Sequence, residues 1–170
     1  MLKPKISLKA RAFRYLSMRE HSRSELSQKL ARYAEANDDV VGLLDFLEKE
    51  QFLSAERFSE SLVNRKQARF GNQRILAELK NHRIDPNQYE HLHTALVCSE
   101  AARAIAVLQR KFQQAPTEKL ERAKRMRFLL QRGFSSDAVR VAMRDAYRED
   151  DQYDQVVDRE SLTESEFASR

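Results

Sequence analysis

The chain has 170 residues, 41% hydrophobic and 34% charged, with three glycines, three prolines, a single cysteine and a net charge of +5. This composition excludes an internally disulfide-stapled domain, a collagen-like or low-complexity chain and a bundle of membrane spans, and it suits amphipathic helices. No apolar run reaches membrane length and the N-terminal Met1-Leu2-Lys3-Pro4-Lys5 leads into no signal-like apolar core, so a cytoplasmic protein without a membrane partner is expected.

Leu8, Ala12 and Leu16 share one face of a first helix. Ser22-Arg23-Ser24-Glu25 reads as a capping box, with Ser22 accepting from the Glu25 N–H and Glu25 reaching back. Leu26, Leu30 and Tyr33 or Ala34 continue that helix, and Asn37 or Asp38 caps a third built on Val40, Leu44 and Leu47. Ser54 caps a fourth through Phe58 and Leu62; Gly71 then supplies a permissive backbone before Ile75, Leu76 and Leu79. Asp85-Pro86 is an N-cap with a proline at the first helical position, and Tyr89, Leu92 and Leu96 carry the helix it starts. A separate stripe, Ala101, Ile105, Leu108 and Phe112, ends near Pro116. Thr117 opens a segment with Ala123, Met126, Leu129 and Leu130, closed by Gly133 at C′. Ser135 caps a last helix through Val139, Ala142, Met143 and Ala146. Cys98 reads as a small buried hydrophobe.

One arrangement recurs three times. Breaks at Arg19-Glu20-His21-Ser22, Arg69-Phe70-Gly71 and Arg132-Gly133-Phe134-Ser135 precede the anchor pairs Leu26/Leu30, Ile75/Leu79 and Val139/Met143. Each pair begins four residues after Ser22, Gly71 or Ser135. The fold class expected is therefore all-α, tandem three-helix repeats forming an elongated, curved array, with units at 7–53, 54–98 and 99–148 and an acidic tail at 149–170. In the third unit the extra helix precedes the matched pair. The tail reads as frayed or disordered, with Leu162 and Phe167 able to dock locally.

Charge follows the repeat. Residues 149–170 carry eight acids against two bases, which leaves 29 bases against 18 acids on 1–148. Within the body, basic blocks at 1–36, 55–84 and 101–148 alternate with acidic ones at 37–54 and 85–100.

Chemistry-bearing motifs are sparse. Gly42, Gly71 and Gly133 are too scattered for a phosphate-cradling loop. His91 and His93 stand two apart, which on a helix sends them to different faces, so no metal site is expected. Ser22, Ser54 and Ser135 read as caps without a paired base. A binding protein without catalytic residues or cofactor, and not an enzyme, is the expectation.

The run Arg14-Tyr15-Leu16-Ser17-Met18-Arg19-Glu20-His21-Ser22-Arg23-Ser24-Glu25-Leu26-Ser27-Gln28-Lys29-Leu30 resembles the first-repeat signature of the RecX family of recombination regulators. Phe52-Leu53-Ser54-Ala55-Glu56-Arg57-Phe58 and Arg69 through Lys80 resemble the second repeat, and Lys124 through Ser135 the third. The likeness spans Ala10 to Tyr147 in order. It departs at Phe70-Gly71-Asn72-Gln73, where the family often has Tyr-Gly-Pro, and in the acidic extension, which is not part of the shared pattern. The resemblance implies a non-enzymatic negative modulator of the RecA recombinase, acting in homologous recombination, DNA repair and the SOS response. Such a protein binds RecA and the RecA–ssDNA filament and limits filament extension, ATP hydrolysis, strand exchange and co-protease activity. It also binds single- and double-stranded DNA in its own right. A monomer is the simplest expectation.

The residues expected to contact RecA or DNA are Arg14, Arg19, Arg23 and Lys29 in the first unit, Arg65, Arg69, Arg74 and Lys80 in the second, and Arg122, Arg125, Arg127, Arg132 and Arg140 in the third. Charge-assisted pairing with phosphate or carboxylate is their proposed role; against it stands solvation of helix faces or pairing within a unit. Arg19 and Arg132 could instead hydrogen-bond the carbonyls that end their helices. A free-standing helix-turn-helix-like DNA-binding protein is the alternative function, an α-solenoid scaffold for another protein a third. The acidic tail is expected to compete with DNA for the basic face.

Overall fold

The computed structural model describes residues 6–148, and the tail assigned to 149–170, with Leu162 and Phe167, lies outside them. Among the described residues all regular structure is helical: α1 (Leu8–Met18), α2 (Arg23–Ala31), α3 (Val40–Lys49), α4 (Ala55–Lys66), α5 (Asn72–Asn81), a 3-10 turn at Pro86–Gln88, α6 (Glu90–Lys111), α7 (Lys119–Gln131) and α8 (Ser136–Asp145). No helix there is long and apolar enough to cross a membrane.

Three separate cores define three tandem units. Ala12, Leu26, Leu30, Leu44, Leu47 and Leu53 close the first, from α1–α3. Phe58, Leu62, Val63, Ile75, Leu79, Ile84 and Leu96 close the second, from α4, α5 and the first half of α6. The third gathers Ala104, Val107, Leu108, Leu129, Phe134, Val139, Ala142 and Met143 from the second half of α6 with α7 and α8. One 22-residue helix thus serves two cores. Two helices were expected across this stretch, but 97–104 contains no glycine or proline, and its one capping-type residue, Ser99, turns its hydroxyl back onto Ala95 O within the helix.

Local start and stop signals differ from expectation in detail. Ser7, Ser22, Ser54 and Ser135 each accept from the backbone N–H three residues on, the role a short hydroxyl performs at an N-cap. Ser22 does not complete a capping box, because the Glu25 carboxylate turns to Arg19 and Lys29 instead. Asp39, not Asn37 or Asp38, caps α3. Asp85-Pro86 starts only the 3-10 turn, where Asp85 and Gln88 form a reciprocal box, and α6 begins at Glu90. Thr117 lies outside α7, its N–H donating to Glu121.

The end of α7 follows the glycine expectation. Gly133 sits at φ +81, its N–H donating to Leu130 O and that of Phe134 to Leu129 O, the paired bonds of a Schellman close. On α7 itself, the expected core stripe is displaced. Met126 and Leu130 are 40% and 47% exposed, while Leu129 and Arg125 face inward. Cys98 is exposed on α6 rather than buried.

Gly71 has a different reason for being glycine than the one expected. Its φ is −79°, open to any residue, yet a Cβ there would overlap the Phe134 amide nitrogen and the Gly133 carbonyl. The Gly71 N–H donates to Arg132 O at 2.9 Å and that of Gln73 to Gly133 O at 3.1 Å. The equivalent breaks of units two and three are therefore bolted together, backbone to backbone.

Candidate functional site

The bolted junction forms one wall of a cleft of about 340 Å³ lined by Ala68, Arg69, Phe70, Val107, Arg110, Lys111, Phe128 and Arg132. Among the described residues, four cations and two aromatic rings line it, with no carboxylate. Phe70 and Phe128 are each covered by a guanidinium, Arg74 at 4.5 Å and Arg132 at 4.3 Å from the ring centroids, a cation–π stack that orients the planar donor fork. The Arg132 Nε is buried without a hydrogen-bond partner. Unopposed cations above apolar rings suit a chain of phosphates or carboxylates.

A polar keystone holds this geometry. Glu100, 7% exposed on α6, accepts through Oε1 from the Asn72 N–H (2.8 Å) and the Ser135 N–H (3.3 Å), and through Oε2 from the Ser135 hydroxyl (2.7 Å). One carboxylate thus meets the positive ends of α5 and α8. Arg103, one turn on, donates to Phe70 O and Leu96 O and to the Asn72 side chain. Burial draws its pKa below the usual arginine value, against the pull of Glu100.

The cleft unites Arg69 and Arg132 of the expected contact residues, with Arg74 over its rim. Arg14, Arg65, Lys80, Arg122 and Arg127 are exposed elsewhere; Arg65 donates to Ser61 O. Arg140 is paired on the surface with Asp137. Arg23 reaches across to Asp45 and Glu48 of α3. Arg125 is buried against Phe112 and Tyr147, donating to Gln114 O and the Tyr147 hydroxyl; its role is structural. Arg132 caps no carbonyl, whereas Arg19 donates to Glu20 O and to Glu25. Sequence reasoning overlooked Arg110, Lys111, Phe70 and Phe128. Their one available signal was the cationic pair closing a helix just before Phe112.

Arg19, Lys29, Glu25 and His21 form a second, internal cluster at the first break. His21, 1% exposed, faces Arg19 O through Nδ1 at 2.9 Å and the Lys29 ammonium through Nε2 at 2.8 Å. This arrangement suits the neutral ring with its proton on Nδ1. Burial lowers the His21 pKa below 6.5, and the nearby Arg19 and Lys29 charges act in the same direction. Burial works to raise the Glu25 pKa, but hydrogen bonds from Arg19 and Lys29 outweigh it and the net shift is below 4.5. Both groups bind protons more tightly when unfolded, so their contribution is full above pH 6.5 and is lost on acidification, His21 first and Glu25 below 4.5. Thermal melts should show the midpoint falling between pH 7 and 5. His21→Asn, whose amide can still donate to Arg19 O, should flatten that interval; an unchanged slope would assign it to other groups.

Glu56, Glu60 and His91 bring ligand atoms within 4.8 Å of one another, all exposed, and His91 stands 3.5 Å from Glu60.

A tandem array of three-helix units with a cationic cleft between two of them defines a helical-repeat protein. Residues 9–47 match the profile described as RecX, first three-helix domain, and 99–143 that of RecX, third three-helix domain. The regulatory protein RecX of Herminiimonas arsenicoxydans is 60% identical over 144 residues, covering 85% of this chain and 95% of its own. That of Herbaspirillum seropedicae is 54% identical over 151 residues, covering 89% and 98%. The crystal structure of RecX from Lactobacillus salivarius has the same fold, with a TM-score of 0.65 at 20% identity over 82% of this chain and 94% of that one. The chain belongs to the RecX family of regulatory proteins.

Proposed function

We propose that this protein is a negative modulator of the RecA recombinase: it binds RecA and its nucleoprotein filament, limits filament extension, depresses ATPase, strand-exchange and co-protease activity, and binds DNA itself. Family membership supports the regulatory role. The observation that carries the binding mode is the cleft between units two and three, four cations and two rings with no opposing acid. The alternative, sequence-specific reading of a major groove by α8, is disfavoured by that helix's outward charge, since Arg140 and Arg144 are each paired with a carboxylate, Asp137 and Asp145.

Substoichiometric protein should inhibit the single-stranded-DNA-dependent ATPase of RecA; full ATPase across a wide titration of folded protein rejects the proposal. The double substitution Arg110→Glu/Lys111→Glu alters exposed side chains and should leave the melting temperature nearly unchanged. It should weaken DNA binding about tenfold or more at low salt and lower the slope of log affinity against log salt by about 2. Unaltered affinity and slope would move DNA binding away from the cleft, while preference for a defined operator would favour the alternative.

A further inference from the structure

We propose that residues 149–170 of this same chain occupy the cleft, as an internal substitute for the external polyanion; the inference rests on the cleft being a polyanion site. Three observations converge on it. The first is charge: the cleft presents Arg69, Arg110, Lys111 and Arg132, and 149–170 carries Glu149, Asp150, Asp151, Asp154, Asp158, Glu160, Glu164 and Glu166 against Arg159 and Arg170. No carboxylate lines the cleft itself, so its cations have no counter-charge among its own walls.

The second is where the described chain leaves the fold. The Tyr147 hydroxyl donates to Phe112 O at 2.9 Å, and the Gln109 side-chain amide donates to Ala146 O at 2.7 Å. Residues 146 and 147 are thus tied to the same turn of α6 that offers Arg110 and Lys111 to the cleft. Arg125 locks this exit by stacking on Tyr147 and donating to its hydroxyl. The acidic segment begins two residues beyond the anchor. The third is reach: 22 residues can extend to about 70 Å, ample for a cleft lined by Arg110 and Lys111 of the same helix end. The densest acids, at 149–154, follow the anchor most closely in sequence, where a tethered ligand has a high effective concentration.

The seat is electrostatic and open, so salt and a competing polyanion should both displace the segment. Inhibitory occupancy in cis then sets a threshold: DNA or an acidic protein surface must outcompete a tethered ligand before engaging units two and three.

The test needs neither DNA nor RecA, so its failure is separate from failure of the regulatory reading. A nitroxide is placed on the full chain by Ser161→Cys in a Cys98→Ser background. At low salt, paramagnetic broadening of amide resonances should concentrate at 68–71, 107–111 and 128–132. It should disappear at about 0.5 M salt, where screening acts within a few ångströms, and in the same chain carrying Arg110→Glu/Lys111→Glu. Broadening absent at low salt, centred on another face, retained after the two charge reversals, or rising with protein concentration as docking in trans would, overturns the proposal.

Discussion

Glu100→Ala is expected to lower unfolding free energy by about 3 kcal/mol, the scale for removing one partner from a buried charged network. The carboxylate accepts from two backbone N–H groups and one hydroxyl. Alanine would leave the first turns of α5 and α8 without these acceptors in a site water reaches poorly. Because Asn72 belongs to unit two and Ser135 to unit three, the loss falls on the joint between them. Arg103 would also lose its nearby counter-charge. Glu100→Gln should cost less, about 1–2 kcal/mol, since one amide oxygen can still accept the two N–H groups while the charge is gone. Urea denaturation measures both, and a Glu100→Ala loss below about 1 kcal/mol would show that water replaces the carboxylate. Loss of the joint should also weaken DNA binding through the cleft.

Gly71→Ala should destabilise by about 3 kcal/mol, at the upper end for overpacking, because the obstacle is backbone and not a side chain that can rotate away. Its φ of −79° makes alanine locally acceptable, so the cost comes from the overlap with Gly133 and Phe134. Gly133→Ala combines two penalties, a left-handed φ of +81 and a Cβ 2.7 Å from the Arg74 Cβ. The two methyls meet different atoms of the same junction, and the double variant should therefore lose less than the sum of the singles, since a junction already forced apart no longer obstructs the second methyl. Strict additivity in a thermal or urea series would argue that the two breaks act independently.

The functional consequence of both substitutions runs through the same wall. Arg69 and Arg132 flank the two glycines and owe their convergence to the backbone bonds between them. A stable variant with a displaced junction should retain its helices yet bind DNA more weakly.

How far these features were legible varies with the range of the interaction. Ser22, Ser54 and Ser135 reveal themselves because a cap acts within four residues, and Leu26/Leu30 or Ile75/Leu79 because helical period alone places them on one face. Gly133 is legible for the same reason, its αL close being local to α7. The continuity of α6 is not legible, because apolar spacing shifts between Leu96 and Ala101 as the helix passes from one core to the next, which imitates an interruption. On α7, hydrophobicity pointed to Met126 and Leu130, but Phe112 and Tyr147 of other elements offer aromatic faces and an acceptor that draw Arg125 inward.

By itself, then, the sequence determined an all-helical tandem repeat, the serine-capped helix starts at Ser22, Ser54 and Ser135, most core anchors, the basic body with an acidic extension, and the likeness to RecX. Only the tertiary structure decided that two equivalent breaks meet back to back, that Gly71 serves close approach, that Glu100 joins two helix ends, and that Arg110 and Lys111 share a cleft with Arg69 and Arg132. Helical period and capping are short-range effects carried by neighbouring residues, whereas a cleft between units depends on contacts across more than 30 residues, whose partners no local pattern names.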